Sequence, residues 1–78
     1  MPTIRSIRGP YRIFFYSFDC NEPRHVHIQR DEKICKFWLE PLRLAKNEGF
    51  PARELNGIRD VLVEHFHQIE EAWNEHCD

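Results

Sequence analysis

The stretch Arg24-His25-Val26-His27-Ile28-Gln29-Arg30-Asp31-Glu32-Lys33-Ile34-Cys35-Lys36-Phe37-Trp38-Leu39 decides the fold. Residues 24–30 and 33–39 are strand candidates, and the charged pair Asp31-Glu32 between them reads as a turn. Side chains on a strand repeat every second residue. His25, His27 and Gln29 therefore share one face, while Val26 and Ile28 share the other and are the natural core side. By the same alternation Phe37 and Leu39 oppose Trp38.

On the N-terminal side, Asp19-Cys20-Asn21-Glu22-Pro23 reads as a loop, since Asp and Asn bond their own backbone and Pro cannot continue a ladder. Before it, Tyr11-Arg12-Ile13-Phe14-Phe15-Tyr16 is dense in β-branched and aromatic residues and reads as a further strand. Gly9-Pro10 is a turn, and residues 2–8, with Ile4 and Ile7, form an expected edge strand. On the C-terminal side Glu40-Pro41 ends the histidine hairpin, Leu42-Arg43-Leu44 adds a short strand, and Asn47-Glu48-Gly49 is a loop. From Pro51 the period changes. Leu55, Ile58, Leu62, Phe66, Ile69, Trp73 and Cys77 follow steps of three and four, which places them on one helical stripe. Pro51 suits the first turn, Glu54 complements the positive end of the helix dipole, and Gly57 is expected to serve close packing.

The expected architecture is thus α+β, a three- or four-stranded mainly antiparallel sheet with one long C-terminal amphipathic helix, residues 51–77, packed on one face. The 78 residues suffice for a single domain with one core, filled by six Phe, two Trp and two Tyr. Residues 1–46 hold nine Lys or Arg against five Asp or Glu, whereas residues 47–78 hold two against eight, so a basic sheet adjoins an acidic helix. No apolar run of about 18 residues occurs, so no membrane span is expected. The N-terminus also lacks the apolar stretch of a signal peptide, which makes the cytoplasm the expected compartment. Cys20, Cys35 and Cys77 are odd in number and widely spaced, and are expected as reduced thiols.

One helix covers one sheet face. The other is expected to present His25 and His27 with Arg12, Phe14 and Tyr16 from one neighbour and Lys36 and Trp38 from another, as a dimer interface or a binding surface. Two imidazoles at this spacing, with Cα atoms about 6.5–7 Å apart, could act as acid and base across a phosphodiester, with Arg24, Arg30 or Lys36 neutralising the phosphate. Trp38 and Tyr16 could stack bases. A zinc site wants three or four ligands, and spacing indicates no third, although Asp19 and Cys20 lie close in sequence. No metal and no cofactor are expected. Glu64-x-x-His67 lacks the further helices that a di-iron site requires, and His67 is expected to pair with Glu71 instead. His76 and Cys77 are expected to fray.

Met1-Pro2-Thr3-Ile4, Tyr11-Arg12-Ile13-Phe14-Phe15-Tyr16, Glu22-Pro23-Arg24-His25-Val26-His27, Lys36-Phe37-Trp38-Leu39-Glu40-Pro41 and Glu71-Ala72-Trp73-Asn74 together resemble the small bacterial proteins of domain-of-unknown-function family 4160. The resemblance covers nearly the whole chain and is most specific at Pro-x-His-Val-His. It departs in two places: Arg24 stands where the family often has a second proline, and Pro51 stands where a Ser-like cap usually opens the helix. The resemblance implies a bacterial or phage origin and a gene arrangement similar to toxin-antitoxin modules, and it implies no activity.

The leading expectation is a protein-interaction component of a toxin-antitoxin-like module, with a small protein partner or a second copy of the chain. The alternatives are a metal-independent ribonuclease or nucleotide phosphodiesterase using His25 and His27, and a non-catalytic RNA-binding module using Arg12, Tyr16 and Trp38. Enzymatic activity stays open at this point.

Overall fold

The computed structural model describes Ile4 and residues 9–77. Among these residues the chain forms β1 (Arg12–Phe14), β2 (His25–Arg30), β3 (Lys33–Leu39), β4 (Leu42–Glu48), α1 (Ala52–Glu64) and α2 (Phe66–Cys77), with a short 3-10 turn at Asp19–Asn21 between β1 and β2. The strand expected over residues 2–8 falls outside the described residues except for Ile4, whose N–H donates to the Ile13 carbonyl at 2.8 Å.

The strands lie in the order β1-β2-β3-β4 and every neighbouring pair is antiparallel. Both central connections are two-residue turns. Arg30 pairs with Lys33 across Asp31-Glu32, where Asp31 takes a positive φ of 57° that Asp tolerates better than most residues. Leu39 pairs with Leu42 across Glu40-Pro41, whose peptide bond is cis. The fourth strand runs on to Glu48, beyond the Leu42-Arg43-Leu44 expected, because a bulge opposite Lys36/Phe37 restores its pairing with β3. The polar residues 46–48 concealed this extension from a reading based on apolar alternation.

The helices cover one sheet face. Ile13, Val26, Ile28, Cys35, Phe37 and Leu39 from the strands close on Ile58, Leu62, Ile69 and Trp73 from the helices in one core cluster. Val26 and Ile28 are fully buried on this side, as alternation required. Where one helix was expected, two meet at His65, which leaves helical geometry at φ −109° and ψ 21°. A straight helix over residues 52–77 would measure about 39 Å at about 1.5 Å per residue. The longest dimension of the molecule is 34 Å. The bend lets Ile58 and Leu62 of α1 and Ile69 and Trp73 of α2 bury against the same sheet face. Pro51 caps α1 from outside the first turn rather than opening it. Gly57 serves no close packing, since a methyl group there would meet nothing within 4 Å.

Two charged clusters pin the helices to the sheet. Glu54 on α1 accepts from Arg30 Nε at 2.7 Å, from Arg30 Nη2 at 2.8 Å and from the Tyr11 hydroxyl at 3.0 Å. Arg24 donates to Glu40 at 2.9 Å, Glu70 at 3.3 Å and Asn74 at 3.2 Å, joining the start of β2 to α2.

The cysteines are corrected by the structure. Cys20 and Cys77 form a disulfide with Cα atoms 5.5 Å apart, and only Cys35 among the three keeps a thiol. The pair is separated by 57 positions, so no local spacing announced it. Burial, with a smaller contribution from Glu54, pushes the Cys35 thiol up to about 12. Cysteine usage therefore gives no support to the reducing compartment first expected. His76 and Cys77, expected to fray, are instead tied down: Cys77 is bridged, and His76 stacks on Phe15 with its Nε2 3.1 Å from the Tyr16 carbonyl. No helix among the described residues is long and apolar enough to cross a membrane.

Candidate functional site

His25 and His27 lie on the sheet face opposite Val26 and Ile28, as alternation placed them, and Trp73 at the end of α2 reaches His25. Cross-strand pairing brings Phe14 and Lys36 beside His27, and Trp38 beside His25. The face is not open at the histidines, however. After β1 the chain turns back through Tyr16, Ser17 and Phe18, and the Asp19–Asn21 turn lays Asp19 directly over both rings. Asp19 is 2% exposed, His25 is 0% and His27 is 9%. The rings touch at 5.1 Å between centroids, His25 packs on Trp38 and Trp73, and His27 is held between Phe14 and Tyr16.

Three of the four imidazole nitrogens have a close polar neighbour. Asp19 Oδ2 accepts from the Tyr16 backbone N–H at 2.7 Å and lies 3.0 Å from His27 Nε2. Asp19 Oδ1 lies 3.2 Å from His25 Nε2. That second approach is within ion-pairing distance but misaligned for a hydrogen bond, which leaves His25 Nε2 a buried polar atom with no hydrogen-bond partner among the described residues. The other nitrogen of His25, Nδ1, sits 2.8 Å from the Pro23 carbonyl. Burial opposes ionisation of Asp19, but the hydrogen bond from the Tyr16 N–H, with the two imidazoles when they are protonated, outweighs it and holds its carboxyl below the ordinary carboxylate range. Burial pushes the His27 imidazole down from its ordinary value, more than the attraction of Asp19 raises it.

The residues singled out from the sequence fall into two groups. Arg12, Tyr16, Lys36 and Trp38 are on the histidine face. Lys36 Nζ lies 4.4 Å above the Trp38 ring and 2.7 Å from Glu22 Oε1, and Arg12 lies over Phe14 at 4.7 Å. Arg24 and Arg30 alternate to the helix side, where their carboxylate partners occupy them. His67 pairs with Glu71 at 2.6 Å on the exposed helix surface. Two cations not picked out from the sequence, Arg43 and Lys46, pair with Trp38 and Lys36 across β3 and β4 and extend the basic character of this face. The signal for them was alternation along a fourth strand longer than expected. For Asp19 the signal was its place in the loop that leads into His25-Val26-His27.

Two depressions border the cluster. One of about 540 Å³ is lined by Pro23, Arg24, Trp38, Glu40, Pro41 and Arg43. The other, of about 150 Å³, has His27, Tyr16, Lys36 and Lys46 in its wall.

An antiparallel four-stranded sheet backed by two helices, with a carboxylate and a His-x-His pair closed together on the far face, defines a class of small α+β domains with a buried Asp-His-His cluster. The chain belongs to the family described as Domain of unknown function (DUF4160), which matches residues 11–74 and so takes in the histidine strand, β3 and most of α2. No curated protein and no solved structure matches it.

Proposed function

We propose that this protein is a protein-binding component of a toxin-antitoxin-like pair, taking an acidic extended segment of its partner along β4 and the adjoining histidine face. The observation that carries this reading is the contrast within one sheet face. The histidines are turned inward onto Asp19, whereas Arg43 and Lys46 stand exposed on β4 beside half-buried Trp38. β4 is the last strand of the sheet, with no further strand beside it among the described residues, although Arg59 of α1 donates to its Leu42 carbonyl at 2.9 Å. Such an edge is a template for an added strand, with main-chain bonds supplying affinity and side chains supplying selectivity. Arg43 and Lys46 select for acidic side chains there, and the groove beside Trp38 accepts an apolar one.

The rival reading, a metal-independent ribonuclease or nucleotide phosphodiesterase, needs both imidazoles to reach one phosphodiester. His25 has no exposed surface, and both Nε2 atoms face Asp19. That arrangement withdraws support from an acid-base pair.

Co-expression with the product of the adjacent gene tests the proposal. The two proteins are expected to co-purify at low salt, less well as salt rises, and poorly when Arg43→Glu and Lys46→Glu are combined. Failure to co-purify at any salt overturns it, as does retention of RNA in place of protein.

A further inference from the structure

We propose that Asp19, His25 and His27 form a binding site for a divalent first-row transition metal of the zinc class. This goes beyond the partner-binding reading and does not depend on it.

The Pro23 carbonyl can only accept a hydrogen bond. His25 Nδ1, 2.8 Å away, therefore carries the hydrogen. In the neutral ring this leaves Nε2 as a bare lone pair, fully buried and 3.2 Å from Asp19 Oδ1, which is also an acceptor. Two acceptors facing each other without a hydrogen between them is an unfavourable contact in a dry site. It is also the arrangement of a metal ligand, because an imidazole that ligates through one nitrogen commonly donates its other N–H to a backbone carbonyl, which fixes the tautomer and aims the ring.

The remaining donors converge on the same point. His27 Nε2 lies 3.0 Å from Asp19 Oδ2, and one ligand atom from each of the three residues falls within 4.8 Å of the others. Ligands held about 2.0–2.2 Å from one zinc-sized ion stand roughly 3.0–3.5 Å from each other, so the cluster is close to the required spacing. Two imidazoles and one carboxylate are a donor set that suits zinc, iron or nickel better than calcium or magnesium. His27 would ligate in its Nδ1–H tautomer, the proton moving from the nitrogen that now faces Asp19. Three protein ligands leave a position for water, and His27, the most exposed of the three, borders the depression lined by Tyr16, Lys36 and Lys46.

The test uses chelator-treated protein with the Cys20–Cys77 disulfide intact, so that the neighbouring Cys20, His76 and Cys77 group offers no thiolates. Titration with Zn²⁺, and with Co²⁺ as the spectroscopic probe, is expected to saturate at one equivalent, to raise the melting temperature, and to shift the Nε2 resonances of His25 and His27 in ¹H–¹⁵N spectra. Asp19→Asn and His27→Gln are each expected to weaken binding by about tenfold or more. His67→Gln, on the exposed helix surface, is expected to leave it unchanged. Equal affinity in the wild type and both cluster variants overturns the proposal. Unshifted His25 and His27 nitrogens at saturating Zn²⁺ overturn it equally, and that measurement on the wild type decides the matter if the variants do not fold.

Discussion

Asp19 shows how much one residue changes the meaning of a motif. Alternation along β2 places two imidazoles side by side, but the carboxylate that closes on them comes from a turn six residues earlier and removes them from solvent. Other single residues have consequences that solution measurements can read. Gly57 sits exposed in α1 with room for a side chain, so Gly57→Ala is expected to stabilise the fold by about 0.5–1 kcal/mol in urea melts, the helix penalty of glycine being relieved without a clash. Glu54 gives a pH dependence. Burial raises its carboxyl, but the hydrogen bonds from Arg30 and Tyr11 prevail and hold it below the ordinary value of 4.5. A carboxyl depressed by folding stabilises the native state above its unfolded-state value, and that contribution is lost as pH falls through the folded value. The wild type is therefore expected to melt above Glu54→Gln at neutral pH, with the gap narrowing as pH drops below about 4.5.

At the scale of elements, the Asp19–Asn21 turn and the end of α2 form one unit. The disulfide joins them, His76 contacts the Tyr16 carbonyl, and Phe15 packs on both Trp73 and His76. Cross-linking residues so far apart in sequence restricts the unfolded chain, and Cys77→Ser is expected to cost about 2–4 kcal/mol. Amide exchange should then quicken first in the last turn of α2 and in the turn carrying Asp19, with α1 keeping its protection. Reduction of the wild type should reproduce both effects. A variant with unchanged exchange in α2 would show that packing alone holds the helix end. The bend at His65 is an element-scale feature that periodicity did not reveal, because the apolar stripe runs through it without a break in spacing.

Across the whole molecule, the basic sheet and the acidic helices meet along ion pairs: Arg30 and Lys33 reach Glu54, and Arg24 reaches Glu70. These pairs are partly solvated, so salt is expected to screen them. Urea midpoints should fall modestly as ionic strength rises from about 0.02 to about 0.5 M, where the Debye length contracts to a few ångströms. A midpoint that rises with salt would mean that repulsion within each half outweighs attraction between them. On the side away from the helices the sheet exposes Arg43 and Lys46, the latter 3.5 Å from Glu48 of the same strand. Under the proposed function, the histidine face and the β4 edge are the side on which the partner is expected to dock.

The sequence by itself determined the strand pair around Asp31-Glu32, the inward direction of Val26 and Ile28, the helical stripe from Ile58 to Trp73 and the face on which His25 and His27 lie. Each follows from a period of two or of about 3.6 residues acting locally. Only the tertiary structure decided the fate of the groups that meet across long separations. It joined Cys20 to Cys77, placed Asp19 over both histidines, bent the helix at His65 to fit the sheet and paired Arg24 and Arg30 with carboxylates on the helices. Local periodicity says which way a side chain points. What it meets there depends on how turns and helix ends pack, and in this protein that packing turned the histidine pair from an open surface into a closed cluster.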